Sequence, residues 1–290
     1  MSTPVAAASV SAAAAPRARP VRAPLLRLLR SELRWVFRRP RTLIALGLLA
    51  LLPVLIGIGI VVSSPGGGLL SQVVGNGLVL PVVALTISLA LLLPLVVAMA
   101  AADALAGESG YGTLRGLLLA PVGRGRLVLV KGVGVLAVAA AAVTAIVVLG
   151  VLTGLVLVGP SGSAQGMLTV SGTQVGPGSG LLRVALAAVW TVGQLLAVGA
   201  VALAISSVTD HPLVVLAATL GGAIVFGVLY AIPSLSWLHP LLLTTGWVAI
   251  ADVLRDPIPF DGILTSTYRA GCYILIGLGL TLARTATRDA

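Results

Sequence analysis

Six long apolar stretches, separated by polar breaks, run along the chain: residues 43–62, 78–102, 132–158, 184–208, 213–231 and 263–283. Each is close to or above the ~20 residues needed to cross the hydrocarbon core of a bilayer, so the pattern predicts six membrane-spanning helices. Pro53, Pro81 and Pro94 lie inside the first two and are expected to kink them. The fourth and fifth are divided by Thr209, Asp210, His211 and Pro212 alone. Pro212 suits the first position of a helix, where no backbone N–H is needed. A seventh apolar run, Leu241 to Leu254, is too short to cross and predicts a re-entrant or interfacial helix, with Trp237 and Trp247 at a membrane boundary.

A different periodicity precedes the first span. In residues 24–41, Arg27, Arg30, Arg34 and Arg38 fall within an arc of roughly 80° at about 100° per residue. Leu25, Leu29, Leu33, Val36 and Phe37 lie opposite, with Trp35 on the flank. Such a helix can lie in the membrane surface with its arginines toward lipid phosphates. It can be an ordinary juxtamembrane anchor or a shaped elbow leading into a transporter. Residues 1–23 are Ala-, Ser-, Pro- and Arg-rich and read as a disordered tail, with no apolar run of the kind a signal peptide needs. The fold class expected is thus an all-α integral membrane protein. It has six transmembrane helices, an amphipathic interfacial helix before them (residues 24–41), and short outer helices between the fifth and sixth spans. Residues 42–290 form the transmembrane domain.

Composition agrees. The chain is 58% hydrophobic and 9% charged, with a mean hydropathy of +1.14, too little charge to cover a soluble domain of this size. The net charge of +10 would suggest nucleic acid in a soluble protein. Here the cations sit beside apolar runs, where they set orientation and touch membrane lipid, so no nucleic-acid partner is expected. Fifteen of the 18 Lys and Arg fall on one side if the N-terminus is cytoplasmic, leaving Arg183, Arg255 and Arg269 outside. Both termini are therefore expected in the cytoplasm. Residues 63–77 and 159–182 are Gly- and Ser-rich outer segments, read as flexible loops.

One loop carries more information than the rest. Residues 107–132 read GESGYGTLRGLLLAPVGRGRLVLVKG. Asp103 and Glu108 end the second span, and Gly107, Gly110 and Gly112 loosen the backbone. Thr113 can cap a short helix over Leu114–Leu119, which Pro121 helps to end. That helix presents Leu114, Leu117 and Leu118, and Arg124, Arg126 and Lys131 follow near the membrane surface. Read from composition alone, this could equally be a solvated loop with snorkelling cations.

The arrangement resembles the cytoplasmic loop between the second and third spans of ABC-2-type transporter permeases, the membrane-spanning subunits of ABC exporters. Glu108, Gly112, Thr113, Leu114, Leu117, Leu118, Pro121, Arg124 and Lys131 carry the resemblance. Arg115 departs from it, standing where an acidic residue is common. The resemblance implies that the 103–131 loop forms a coupling helix docked on an ATPase subunit. Leu114, Leu117 and Leu118 would dock, Gly112 and Pro121 would shape it, and Arg124 and Lys131 would hold the membrane surface. It also implies a second permease copy or a related permease as partner. A P-loop would end in Gly-Lys-Ser/Thr. The single lysine, Lys131, stands in VLVKGVG, so no cofactor is expected in this chain, and ATP and Mg would be bound by the ATPase subunit.

The remaining polar residues carry less. Arg269 lies a few residues into the last run, where it can snorkel outward, pair helices or face a translocation path. Asp252, Asp256 and Asp261 are too loosely spaced for a cation cage and read as solvated turns. His211 reads as part of a turn and Cys272 as helix packing; no metal site and no catalytic residue is expected. An ATP-independent channel or carrier would more often show repeats or charged spans, and a membrane enzyme would need clustered acids or histidines. The reading that results is the membrane subunit of an ATP-driven exporter in a bacterial plasma membrane, moving an amphipathic, lipid-like or drug-like substrate.

Overall fold

The structure is a computed structural model that describes residues 24–63, 76–107, 123–157 and 166–287. The N-terminal tail and residues 108–122 of the loop lie outside the described residues. Among those described, the chain is almost entirely helical. α1 spans Leu25–Arg38 and α2 Pro40–Ser63. After a 3₁₀ turn at Gly77–Val79 come α3, Leu80–Ala90, and α4, Leu92–Ala104. α5 is Arg124–Leu157, α6 Pro177–Ser206, α7 Pro212–Tyr230 and α8 Phe260–Thr287. Two 3₁₀ helices, Pro233–Leu238 and Leu243–Leu254, lie between α7 and α8.

Five helices, α2, α5, α6, α7 and α8, are long and apolar enough to cross a membrane, and α3 with α4 makes a sixth span if the pair is counted as one. That span is bent by 57°. The break falls at Leu91, whose φ/ψ of −150°/−46° leave the helical region. Pro94 explains it: the ring excludes the Ala90 carbonyl four residues back and supplies no N–H. Pro53, by contrast, lies within an unbroken α2, and Pro81 sits in the first turn of α3, where it costs nothing. α5 starts at Arg124, eight residues before the apolar run predicts. At 34 residues and 1.5 Å per residue it is about 51 Å long, well beyond the ~30 Å core.

α6 is the central helix. Of its most apolar stretch 56% is buried, against 11% for α7, and it packs on α4, α5, α7 and α8. Small residues make this possible. A Cβ on Gly277 of α8 would stand 2.6 Å from the backbone of Ala200, and one on Gly199 would meet Val135 of α5 at 2.7 Å. In a lipid-facing bundle, close backbone approach replaces the hydrophobic effect as the main attraction between helices. Outward, Leu43, Ile44, Leu48, Leu55, Val225 and Leu275 are exposed, an apolar surface that only hydrocarbon would accept.

The end of the bundle opposite α1 is closed by short elements. Residues 166–182, expected as a flexible loop, contain a two-stranded hairpin, Met167–Leu168 with Gln174–Val175, and the first turns of α6. Arg183 donates to the carbonyls of Val253 (3.1 Å) and Arg255 and pairs with Asp256 at 2.8 Å. Thr173 donates to the other Asp256 oxygen at 2.9 Å. Asp256 is therefore an ion-pair partner rather than a residue of a solvated turn. The Thr173 hydroxyl and the Arg183 guanidinium hold its carboxyl below the ordinary 3.8. Asp252 faces Arg255 at 3.5 Å. The Leu241–Leu254 run folds as the 3₁₀ helix against α6 and α8, as a non-crossing segment should.

Two outcomes follow from this packing. Gly154 on α5 meets the Gly77 backbone so closely that neither tolerates a side chain. Gly154→Val should destabilise the purified protein by about 1–3 kcal/mol, the usual range for overpacking. Gly132→Ala, with open space around it, should not, as read by thermal unfolding in detergent. Because the Asp256 carboxyl is depressed in the folded state, its stabilisation is present above the unfolded value and is lost as pH falls through the folded one. The melting advantage of wild type over Asp256→Asn should therefore persist at neutral pH and vanish only below about pH 4.

Candidate functional site

Glu32 is the first acidic residue in the chain and Asp103 the second. Both belong to one cluster at the α1 end of the bundle. Lys131, eight residues into α5, places Nζ 2.9 and 3.0 Å from the two Glu32 oxygens. Its side chain is only 3% exposed and that of Glu32 12%. Arg39, in the one-residue break between α1 and α2, pairs with Asp103 of α4 at 2.6 Å, and Arg41 reaches the other oxygen at 3.4 Å.

Trp35 lies between the two pairs. The Arg39 guanidinium sits 3.3 Å from the centre of its ring, and Lys131 Nζ 5.2 Å from it. Both cations thus gain a cation–π contact as well as a carboxylate. The gap enclosed by Glu32, Trp35, Arg39, Asp103 and Lys131 is about 10 Å³, at the lower limit for a single water. This is a closed joint with no room for a ligand.

The joint ties α1 to both flanks of residues 108–122. Asp103 stands five residues before that segment and Lys131 nine after it. Two more anchors act at the same place. The Ala106 N–H donates to Ser206 Oγ at the end of α6, 2.9 Å away, and that hydroxyl reaches the Ala102 carbonyl at 3.4 Å. Arg124 donates to the Ala286 carbonyl at the end of α8. The end of α4 is thus fastened to α6, and the start of α5 to α8 and α1.

Of the residues singled out in the loop, Glu108, Gly112, Thr113, Leu114, Leu117, Leu118 and Pro121 lie outside the described residues. Arg124 is exposed and Lys131 is not. A snorkelling role for Lys131 is corrected: the cation turns inward because Glu32 offers a partner that lipid phosphate would otherwise have to supply. Arg27, Arg30, Arg34 and Arg38 are exposed, while Leu25, Leu29, Leu33, Val36 and Phe37 are half-buried, as the helical arc predicts. Trp35 is 39% exposed.

Sequence reasoning passed over Glu32 and Arg39. One signal could have found the first: a single acid stands among nine arginines before the first span, and a lone acid there calls for a cation across the fold. Arg269 is half-buried and hydrogen-bonded to the segment between α7 and α8. Nη1 donates to the Leu242 carbonyl at 2.6 Å and contacts Thr245 Oγ1, and Tyr273 donates to the Leu241 carbonyl at 2.8 Å. Arg269 thus joins α8 to the 3₁₀ helix. Among the described residues no group of three His, Cys, Asp or Glu could hold a metal ion.

A family model described as ABC-2 family transporter protein matches residues 26–254, from α1 to the end of the second 3₁₀ helix. No match is found among curated proteins.

Removing one partner of a buried pair leaves an uncompensated charge, at about 3–5 kcal/mol. Lys131→Met should therefore lower the melting temperature sharply. The double variant Glu32→Leu/Lys131→Met should recover part of the loss, since both charges of the pair and their buried polar atoms are then removed together. Equal damage in both would mean that Lys131 acts without Glu32.

Proposed function

Since the chain belongs to the ABC-2 transporter family, a family of multi-pass membrane permeases, we propose that it is the transmembrane subunit of an ATP-driven exporter, coupled to a separate ATPase through residues 103–131. The observation that carries this reading is the joint just described. A loop that receives force from a partner must be gripped at both ends, and here each end is fastened to different helices by Asp103, Ser206, Arg124 and Lys131.

In this mechanism the ATPase subunits bind ATP and Mg and close. Leu114, Leu117 and Leu118 dock a short helix on the ATPase, with Glu108, Gly112, Thr113 and Pro121 shaping the chain around it. Motion of that helix passes to α4 through Asp103 and to α5 through Lys131. Because both are ion-paired to α1 and its junction with α2, the interfacial helix moves with them. The arginine face of α1 then works against the lipid surface on the cytoplasmic side of a bacterial plasma membrane, where both termini lie. One such chain supplies half a pathway, completed by a second permease copy or a related permease. Cargo is amphipathic and lipid-like or drug-like, in keeping with spans almost free of charge.

Leu117→Asp/Leu118→Asp should release the ATPase on co-purification and abolish transport, while the melting temperature of the permease stays near wild type. A complex that survives the double change and transports normally would sink the docking role. Purification of the wild-type chain from its source without any ATPase, with transport retained, would point to an ATP-independent carrier.

A further inference from the structure

Between α5, α6 and α8, in the half of the bundle nearer α1, lies a groove of about 410 Å³, within the ~300–1,000 Å³ of ordinary ligand sites. Val128, Gly132 and Leu136 of α5 line it, with Gly199 and Leu203 of α6 and Leu278 of α8. Nothing in that wall is charged. The α5 side is floored by glycine: a Cβ on Gly125 or Gly132 would meet nothing within 4 Å. Open space at these positions belongs to the groove rather than to helix packing, since Gly199 and Gly277 nearby are tightly occupied by neighbours.

The mouth is basic. Gly125 opens the groove face, and Arg124 and Arg126 stand about 100° to either side of it on α5. Arg124 is fastened to the Ala286 carbonyl, which ties α5 to α8 across the mouth. Arg126 is exposed and has no polar partner among the described residues. An apolar groove beside an exposed guanidinium that no described side chain pairs suits an acyl chain below an anionic headgroup.

We infer that this groove holds an anionic phospholipid of the leaflet on the α1 side, with one acyl chain against Gly132 and its phosphate at Arg126. A second copy of the chain is the poorer occupant on local charge: pairing two copies at this mouth would set Arg124 and Arg126 of one beside those of the other. Lipid supplies the missing negative charge and fills the slot without needing hydrogen bonds. The site is independent of the transport reading, because it needs only a membrane protein.

Native mass spectrometry of the purified full-length chain, titrated with dioleoyl phosphatidylglycerol and with dioleoyl phosphatidylcholine, tests it. Wild type should bind the anionic lipid more tightly than the zwitterionic one, with Arg126 contributing about fivefold, the value of one cation near an anionic headgroup. Arg126→Gln should reduce the preference by that about fivefold, leaving what the α1 arginines add, and leave phosphatidylcholine binding unchanged. Gly132→Leu, which fills the slot where a Cβ meets no neighbour, should weaken both lipids about tenfold. If Gly132→Leu fails to fold, Gly125→Leu at the mouth takes its place. Binding within about twofold of wild type in a folded filling variant overturns the site. So does an Arg126→Gln protein whose preference is undiminished. A filling variant that dissociates a dimer while binding lipid as wild type does would show a contact between copies, and that too overturns it.

Discussion

The ion pair between Glu32 and Lys131 is the constraint on which the α1 end of the bundle depends. An amphipathic helix held only by its half-buried leucines would rest loosely on the spans, since lipid tails are as apolar as the protein surface and compete for the same contacts. A buried charge pair changes the balance. Once Lys131 is turned inward, withdrawing Glu32 breaks two short contacts to a buried cation, so lifting α1 away costs the bundle one of its buried ion pairs. Arg39 and Asp103 repeat the logic one helix further on. Trp35 lies between the two pairs, and its ring face is negative toward both cations.

That joint and the opposite end of the bundle solve different problems with the same residue types. Near α1, carboxylates meet cations and fasten α1 and its junction with α2 to α5 and α4. At the far end, Arg183 and Arg269 spend their donors mainly on backbone carbonyls at the two ends of the 3₁₀ helix, Leu243–Leu254. The last carbonyls of a helix have no partner within it, and Arg183 supplies one at the C-terminal end, while Arg269 adds a donor to Leu242 and Thr245 at the N-terminal end. Arginine, with five donors in a fixed fork, can reach several at once. Asp256 then neutralises Arg183, and Thr173 binds the hairpin to the same carboxylate. The bundle between these ends is held by small residues on α6 and its neighbours, where backbone contact takes the place of large interdigitating side chains.

Much of the architecture was legible because its causes are local. Run length against bilayer thickness marks spans without reference to anything else in the chain. The arc of arginines on α1 is a consequence of helical pitch, and Pro212 opening α7 is a consequence of its missing N–H. Pro94 breaks its span as its missing N–H predicts, whereas Pro53 leaves α2 unbroken. The resemblance of the 103–131 loop to the family rested on residue order, and the family assignment agrees with it. The roles assigned to Glu108 through Pro121 fall on residues outside those described.

Sequence alone therefore determined that the chain is a multi-pass helical membrane protein, which stretches are long and apolar enough to cross, and to which family it belongs. All of these follow from periodicity, run length and the order of a motif, which act over a few residues. Tertiary structure alone decided which charge meets which. Glu32 and Lys131 are 99 residues apart, and Arg183 and Asp256 are 73 apart, so no local pattern pairs them. It also decided that Lys131 and Arg269 face inward to partners while Arg126 faces out. A long cation beside an apolar run can snorkel or pair with equal ease, and only the neighbour brought to it by folding selects between the two.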